Sequence, residues 1–527
     1  MKKIFFLLIL GLGVLFFTSH LTPLEPVPQP VPQRPNILFA IADDQSFAHV
    51  SALGQDIFKT PYFDKVAERG VLFANAFVAA PQCSPSRAAM LTGRNIWQLE
   101  EAGTHSSYFP KKFPVFSNSL ESAGYFIGFT GKAWDPGNFE DAGWARNPVG
   151  PEYNKRKFDQ VPTKGIANND YASNFGDFLN DKPANQPFFF WFGSREPHRD
   201  FDAGSGTKAG LKATDSTVPK FLPNNDLVKT DMLDYALEIG WFDKQLGAMI
   251  KLLESRGELD NTIIIVTADN GMAFPYAKAN LQDYGTHVPL AICGPLVKGG
   301  ARKVSDLVGM IDLAPTILDL AGVSHFAGIT GKSLLPILQS NASGLVDKTR
   351  SFVLTGRERH THARPDNLGY PARAIRTQQY LYIKNFTPDR WPAGNPPPKA
   401  SITAEKTNEK TMEGYEDIDA SPTKKHMIKE QATYPDLFKL GFAKRNAEQL
   451  YDIIKDPYCL NDLSADKRMG KVKNKLKVLL ESTLKAQQDP RMLGTGDVFE
   501  GYPRFGGMRN FDGFKEKGKY NPAFIRQ

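Results

Sequence analysis

Four short apolar runs, each followed by polar residues, predict buried strands. They cover residues 37–42, 125–130, 188–192 and 263–267. The runs show little alternation of apolar and polar positions, which is typical of parallel strands covered on both faces. Residues 232–255 carry apolar side chains at helical spacing and predict an amphipathic helix before the fourth run. The pattern indicates an α/β fold with a mostly parallel sheet.

The polar residues after these strands are the first candidates for chemistry. In chain order they are Asp43 with Asp44, Lys132, His198 with Arg199, and Asp269 with Asn270. Open parallel sheets hold ligands outside the carboxyl ends of their strands, so we expect these side chains to meet. Taken singly, each has a plain alternative as a cap, a turn, a solvated lysine or a buried histidine. Together, three carboxylates and an asparagine amide form an oxygen ligand set for Ca²⁺ or Mg²⁺, not zinc.

The start of the chain predicts export. Lys2 and Lys3 precede an apolar run over residues 4–17, which is too short for a membrane span and has the length of a signal-peptide core. Residues 1–19 are assigned to a signal peptide and the proline-rich residues 20–34 to an extended linker. We expect a periplasmic or secreted protein with no membrane span after cleavage, and an uncleaved anchor is the alternative.

Composition and charge narrow the class of protein. Of 527 residues, 41% are hydrophobic and 23% are charged, which is typical of a globular chain and not of a disordered or multi-span membrane protein. Three cysteines allow at most one disulfide. The net charge of +7 suits an anionic substrate, but no basic stretch indicates nucleic acid as a partner.

One cysteine lies in a pattern that indicates chemistry. Cys83 begins the sequence Cys-Ser-Pro-Ser-Arg and precedes a predicted helix that Gly93 ends. A helix N-terminus favours an anion through its dipole and free N–H groups, and Arg87, one turn further on, adds a guanidinium for an oxyanion. The segment therefore predicts an anion-binding site beside Cys83.

The pattern C-x-P-x-R, followed closely by Thr92-Gly93-Arg94, resembles the motif of the formylglycine-dependent sulfatases. Residues 36–44, 59–61, 72–77, 267–271, 313–318 and 331–334 are similar to further landmarks of that family. The resemblance implies an alkaline-phosphatase-like α/β catalytic domain over residues 35–375, with a mostly parallel central sheet. It also implies a smaller C-terminal subdomain with an antiparallel sheet over residues 376–490. Residues 491–527 are a tail with no predicted function.

The resemblance also implies a mechanism. A formylglycine-generating enzyme would oxidise Cys83, and a hydroxyl of the hydrated aldehyde would attack the sulfate sulfur to give a covalent sulfo-enzyme. Ca²⁺, with Mg²⁺ as the alternative, would act as Lewis acid. The implied metal ligands are Asp43, Asp44, the converted Cys83, Asp269 and Asn270. The other implied catalytic residues are Arg87 and Lys132 on the aldehyde hydrate, His198 as the acid for the leaving group, and Lys278 on the sulfate.

The sequence departs from the family pattern after Lys132. Most relatives carry a histidine two or three residues after this lysine, where it helps to deprotonate the second hydroxyl of the hydrate. This chain has Ala133, Trp134 and Asp135 there. We expect Asp135 or a residue elsewhere in the chain to supply the base.

The predicted substrate is a sulfated oligo- or polysaccharide. We expect the enzyme to remove sulfate from the end of the saccharide chain and to leave the glycan otherwise unbroken. Several segments resemble the heparan N-sulfatase (sulfamidase) branch, whose bacterial members also act on algal polysaccharides such as ulvan. The residues predicted to bind the saccharide are Arg199, His287, His360 and Arg373. Two alternatives stay open: a phosphate or phosphonate monoester hydrolase of the same superfamily, and a non-catalytic polysaccharide-binding protein on a sulfatase scaffold.

The C-terminal third has a weaker pattern. Residues 377–386 predict a strand of a small antiparallel sheet, and residues 466–485 predict a lysine-rich amphipathic helix covering that sheet. Residues 396–433 are predicted to be a polar insertion of low order.

Overall fold

The computed structural model describes residues 34–54, 57–397 and 414–505. The predicted signal peptide, nearly all of the predicted linker and residues 506–527 of the tail lie outside these residues. No helix in the described ranges is long and apolar enough to cross a membrane.

Eleven strands form two sheets in the described part of the chain. They are β1 (Asn36–Ala42), β2 (Val71–Phe77), β3 (Phe126–Gly131), β4 (Phe188–Gly193), β5 (Thr262–Ala268), β6 (His287–Cys293), β7 (Arg302–Gly309), β8 (Val353–Arg357), β9 (Ala372–Arg376), β10 (Tyr380–Asn385) and β11 (Glu448–Asp452). Strands β1, β3, β4 and β5 correspond to the four apolar runs of the sequence.

Twelve α-helices surround the sheets within the same described residues. They are α1 (Pro61–Arg69), α2 (Cys83–Thr92), α3 (Phe116–Ser122), α4 (Tyr171–Asp181), α5 (Ser205–Lys208), α6 (Asp226–Ser255), α7 (Asp283–Thr286), α8 (Leu313–Leu320), α9 (Leu335–Leu338), α10 (Pro422–Lys429), α11 (Pro435–Phe442) and α12 (Gly470–Ala486).

The large sheet has seven strands in the order β3-β4-β1-β5-β6-β2-β7. Strands β3, β4, β1 and β5 are parallel neighbours, whereas β6 runs antiparallel to both β5 and β2. Every residue of β1, β4, β5 and β6 is buried. Apolar side chains of α6, including Leu246 and Leu253, belong to the same core as β1. The prediction of a mostly parallel α/β domain is confirmed.

The second sheet is antiparallel and has the order β11-β10-β9-β8. Leu476, Leu480 and Leu484 of α12 are buried, one helical turn apart, as the predicted covering helix requires. Strand β8 and most of β9 precede residue 376, where the sequence placed the start of the subdomain. The pattern over residues 377–386 gives one strand, β10, which a turn separates from β9.

The polar insertion is more ordered than predicted where it is described. Ser421 caps α10 by accepting a hydrogen bond from the Lys424 amide at 3.0 Å, and Lys424 itself is buried. Residues 398–413 of the insertion lie outside the described residues. The prediction of low order is wrong for residues 414–433, because Tyr415, Ile418 and Met427 are buried in a hydrophobic cluster and the Thr423 hydroxyl donates to Asp231 of α6.

Candidate active site

The carboxyl ends of β1 and β5 bring the predicted carboxylates together. The register pairs Ala42 with Ala268, so the next residue of each strand leaves the sheet at the same level. The Asp269 amide donates to the Ala42 carbonyl oxygen at 3.1 Å, and the Asp44 amide donates to Asp269 Oδ1 at 3.1 Å. Asp44 has a φ of 74°, in the left-handed region, which turns the chain directly after the strand.

Helix α2 places Cys83 against this carboxylate cluster. The helix starts at Cys83, and Gly93 ends it with a φ of 65°, as the sequence predicted. Cys83 Sγ lies 3.4 Å from Asp43 Oδ1 and 3.9 Å from Asn270 Nδ2. All three side chains are buried. Residue 83 therefore lies at a helix N-terminus and within the predicted set of metal ligands.

Each carboxylate of the cluster is paired with a buried cation. The pairs are Lys132 Nζ with Asp43 Oδ2 at 2.5 Å, Lys278 Nζ with Asp44 Oδ2 at 2.7 Å, and Arg87 Nε with Asp269 Oδ2 at 2.8 Å. Arg87 also donates through Nη1 to the carbonyl oxygens of Lys132 and Ala133 at 2.7 and 3.0 Å. The three carboxylates and the three cations together carry no net charge. A bound divalent cation would therefore make this group of residues positive and favourable to an anion.

The pKa shifts follow from burial and from these pairs. Burial raises the pKa of Asp44 to about 6, against the opposing effect of Lys278. Burial also acts on Asp43, but Lys132 and the other cations outweigh it and hold the pKa of Asp43 well below its usual range. Burial raises the pKa of the Cys83 thiol well above its usual value, and Asp43 adds to this effect. The thiol is therefore protonated at neutral pH and is itself a poor nucleophile.

The side chains fit a hard divalent cation. Asp43, Asp44, Cys83 and Asp269 each offer one ligand atom, and these atoms lie within 4.8 Å of one another. Asp44 Oδ1 and Asn270 Oδ1 are buried and have no hydrogen-bond partner among the described residues. An unpaired buried oxygen is costly, and coordination to a cation would satisfy both of these.

His198 lies beside the cluster on the segment after β4. Its side chain is 36% exposed, and Nε2 is 3.9 Å from Asp44 Oδ2. Nδ1 lies 2.6 Å from the Arg199 carbonyl oxygen, so Nδ1 carries the hydrogen and Nε2 is the nitrogen nearer the cluster. This position is accessible to a substrate while remaining close to the carboxylates.

Two residues predicted to bind the saccharide are not at the site. The Arg373 guanidinium is fully buried and pairs with Asp489 at 2.7 Å and Glu358 at 2.8 Å. The His287 ring is stacked on Phe47 at 3.8 Å between ring centroids, and its Nε2 lies 2.9 Å from the Ala74 carbonyl oxygen. Both predictions are corrected, because packing and hydrogen bonds inside the fold already use these side chains.

The side chains of Arg199 and His360 are also held by contacts within the protein. Arg199 forms two hydrogen bonds with Asp231, at 2.7 and 2.8 Å, and is nearly buried. His360 is buried with Nδ1 at 3.7 Å from Asp417 Oδ1, and burial lowers the pKa of His360 to about 3. Their role in substrate binding stays a prediction.

The structure adds two groups that the sequence did not indicate. Asp419 Oδ2 lies 3.2 Å from Lys278 Nζ, so the insertion after residue 413 contributes a charge to the site. His105 is buried on the segment whose Ser106 amide donates to Ser84 Oγ at 2.9 Å. Neither residue lies in a motif or after a predicted strand, and their proximity arises from tertiary contacts alone. Asp135, the expected substitute base, is exposed.

The fold is an alkaline-phosphatase-like α/β fold with a buried, oxygen-rich cluster beside a cysteine at a helix N-terminus. The sulfatase family model matches residues 35–323, and the model for the C-terminal region of N-sulphoglucosamine sulphohydrolase matches residues 275–392. The chain therefore belongs to the sulfatase family.

Individual relatives agree with this assignment. An ulvan-active sulfatase from Formosa agariphila is 27% identical over 475 residues, which cover 87% of this chain and 82% of the relative. N-sulphoglucosamine sulphohydrolase from Homo sapiens is 27% identical over 400 residues, covering 67% and 73% of the two chains. A solved structure in complex with D-glucosamine-2-N,6-O-disulfate as its substrate has a TM-score of 0.60 at 20% identity and covers 86% of this chain and 98% of the other. The structural likeness supports the fold.

Proposed function

We propose that the protein is an exported, metal-dependent sulfatase that releases sulfate from the end of a sulfated saccharide, with formylglycine at position 83. The observation that carries this proposal is the position of Cys83. Its sulfur lies 3.4 Å from Asp43 Oδ1, at the start of a helix and among carboxylates that are each paired with a cation. Such a site favours a tetrahedral oxyanion next to residue 83.

Asp43, Asp44, Asp269, Asn270 and the modified residue 83 would hold the divalent cation. We propose Ca²⁺, with Mg²⁺ as the alternative, because the protein ligands are carboxylate and amide oxygens. When bound, the ion supplies Lewis acidity toward the sulfate oxygens and lowers the pKa of a hydroxyl on residue 83. The unpaired oxygens Asp44 Oδ1 and Asn270 Oδ1 support this assignment.

The surroundings of residue 83 suit an oxygen-bearing group better than a thiol. A buried thiol of raised pKa has little nucleophilic character, whereas a hydrated aldehyde offers two hydroxyl groups on one carbon. Arg87 Nη2 is buried and has no hydrogen-bond partner among the described residues. We propose that Arg87 and Lys132 donate to the hydroxyl groups of residue 83 and fix their orientation. Conversion of the cysteine requires a formylglycine-generating enzyme as a partner.

Proton transfer to the leaving group is assigned to His198. Its accessible ring lies where a sugar oxygen could approach from solvent, and Nε2 is 3.9 Å from Asp44 Oδ2. The departing alkoxide of a sugar is strongly basic, so protonation in the transition state accelerates its departure. Lys278, held as a cation by Asp44 and Asp419, would bind a sulfate oxygen.

The substrate class follows from charge, access and relatives. The predicted export places the enzyme where polysaccharides are met, and the net charge of +7 favours a polyanion. The relatives described above include an ulvan-active sulfatase and a sulphohydrolase of N-sulphoglucosamine, so both an O-sulfate and an N-sulfate are candidates. We propose action at the end of a saccharide chain, because Cys83 and the carboxylates are buried at the edge of the sheet while His198 is partly exposed beside them.

Release of inorganic sulfate from a panel of substrates tests this proposal. The panel contains N-sulfated glucosamine, ester-sulfated glycosaminoglycan oligosaccharides, ulvan oligosaccharides and a phosphate monoester. We expect sulfate release from at least one sulfated sugar, with the glycan otherwise unbroken. Hydrolysis of the phosphate monoester alone would favour the phosphatase alternative, and binding without hydrolysis would favour the non-catalytic one.

A further inference from the structure

His105 lies beside the first turn of α2, on a segment for which the sequence predicts no role. The Ser106 amide donates to Ser84 Oγ at 2.9 Å, which fixes this segment next to the residue that follows Cys83. The His105 amide also donates to the Arg359 carbonyl oxygen at 3.4 Å. His105 is thus attached on one side to the helix that carries the nucleophile and on the other to the segment after β8.

The hydrogen bonds of the His105 ring define its tautomer. Nδ1 lies 3.0 Å from the His360 carbonyl oxygen. A carbonyl oxygen can only accept, so Nδ1 carries the hydrogen and Nε2 of the neutral ring has a lone pair. The described residues provide no hydrogen bond to Nε2, and His105 retains 7% exposure. Nε2 is therefore free to accept a proton.

Charged neighbours connect His105 to the active site. Burial lowers the pKa of His105 well below its usual value, so the ring is neutral at physiological pH. The neighbouring His360 ring and the positive charges of Arg504, Lys278 and Lys132 lower the pKa of His105 further. Lys132 and Lys278 pair with Asp43 and Asp44 of the proposed metal site, so the ring lies within the field of that site.

Several buried polar atoms on the α2 region and on the His105 segment are unsatisfied. Gln82 and Ser86 of the α2 region, and Thr104 and Ser107 on either side of His105, have buried polar side-chain atoms without a hydrogen-bond partner among the described residues. Buried polar atoms of this kind are normally satisfied by water or by a ligand. Polar groups that need a partner therefore lie on both the α2 region and the segment that carries His105.

We propose that His105 is the general base that completes sulfate release from residue 83. This inference rests on the proposed function. The other candidates are committed elsewhere: Lys132, Lys278 and Arg87 are paired as cations, and His198 is assigned to the leaving group. Asp135, the substitute considered from the sequence, is exposed.

Sulfate leaves the carbon of residue 83 by an elimination. Nε2 of His105 takes the proton of the free hydroxyl on the residue-83 carbon, and the O–H electron pair forms the C=O bond. The bond from this carbon to the oxygen of the sulfate group breaks, and sulfate leaves with that electron pair. The imidazolium then returns its proton to solvent. The negative charge of the departing sulfate offsets the field of the two lysines and makes the ring a better base during this step.

His105→Asn is the principal test. Asn can keep a donor near the position of Nδ1, and so the hydrogen bond to the His360 carbonyl oxygen, but it has no equivalent of Nε2. We expect kcat for an aryl sulfate to fall by about 10²- to 10⁴-fold. We also expect a burst of one equivalent of the phenol, and intact-protein mass after acid quench should show residue 83 carrying an added SO₃ group. His105→Gln should behave in the same way and provides a second variant if Asn impairs folding.

Two comparisons separate a base from a positioning residue. Addition of imidazole to His105→Gly should restore part of the lost rate, which a purely structural defect would not allow. His287→Asn alters another buried histidine, away from the site, and should lower Tm without burst or adduct. Loss of rate in His105→Asn without burst or adduct, or unchanged kcat, would overturn the inference. Absence of sulfate release by the unaltered protein would instead reject the proposed function.

Discussion

Cys83 is buried at the start of α2, and its sulfur lies against Asp43 and Asn270. Replacement by alanine keeps a small residue at the first position of α2. We therefore expect Cys83→Ala to lower the free energy of unfolding by only about 1 kcal/mol while abolishing sulfate release. Thermal unfolding and ion chromatography of sulfate measure the two effects. Substantial sulfate release by this variant would contradict the mechanism.

The role of His198 can be tested with substrates whose leaving groups differ in basicity. If its proton assists the leaving group, His198→Gln should lower kcat for a sugar sulfate by about 10²- to 10⁴-fold. An aryl sulfate with an acidic phenol leaves without such help, so its kcat should fall much less. The ratio of the two effects is the readout. Equal losses on both substrates would mean that His198 binds sulfate and does not protonate the leaving group.

At the scale of elements, α6 carries an acid that is buried without partners. Both carboxylate oxygens of Glu238 lack hydrogen bonds among the described residues, and burial, with help from Glu196, raises the pKa of Glu238 from its usual 4.5 to about 9. The folded protein therefore keeps a proton that the unfolded chain loses above about pH 4.5. Stability should fall as pH rises from this value toward 9.

Glu238→Gln should remove this pH-dependent loss. We expect the variant to be more stable than the unaltered protein at pH 8, by about 1 to 3 kcal/mol, and nearly equal to it at pH 4.5. Glu254→Gln changes an exposed residue of the same helix and should show neither effect. Urea unfolding at the two pH values makes the comparison. A Glu238→Gln variant that is less stable at pH 8 would refute the assignment of a neutral, buried acid.

The elements also show what the sequence could and could not predict. Strands β1, β3, β4 and β5 were predictable, because a buried parallel strand requires an unbroken apolar run and the polar residue that follows it marks the sheet edge. The roles of Arg373 and His287 were not, because a charged or aromatic residue looks the same in sequence whether it faces a substrate or a buried partner. Asp489 lies 116 residues from Arg373, and no local pattern links them.

For the whole molecule, binding of a cation at the proposed site should raise folding stability. A cation that binds only the folded chain stabilises it by about 2.7 kcal/mol when the free cation concentration is one hundred times the Kd. We expect Ca²⁺ to raise the Tm of the EDTA-treated protein and restore its activity, and we expect Asp269→Asn to lose both responses. Asp260→Asn, whose side chain is 99% exposed at the opposite end of β5, is the matched control. Stronger stabilisation by Zn²⁺ than by Ca²⁺ would contradict the oxygen ligand set.

The completed site depends on chain segments that are far apart in sequence. Asp43, Cys83 and Asp269 come together because β1, α2 and β5 converge at one edge of the sheet, as the apolar runs and the motif predicted. Asp419 and His105 reach the same region through an insertion and an irregular segment. These two could not be predicted, since irregular segments follow no period and their position depends on contacts with the rest of the fold.

The activity should depend on formylglycine at position 83, and the mass of the peptide that contains this residue shows whether the cysteine has been converted. Protein should be produced with and without a formylglycine-generating enzyme and assayed for sulfate release in the presence of Ca²⁺. We predict that the peptide mass shows an aldehyde in place of the thiol and that specific activity is proportional to the converted fraction. Full activity in a preparation whose residue 83 is entirely unmodified cysteine would show that the reaction does not need formylglycine.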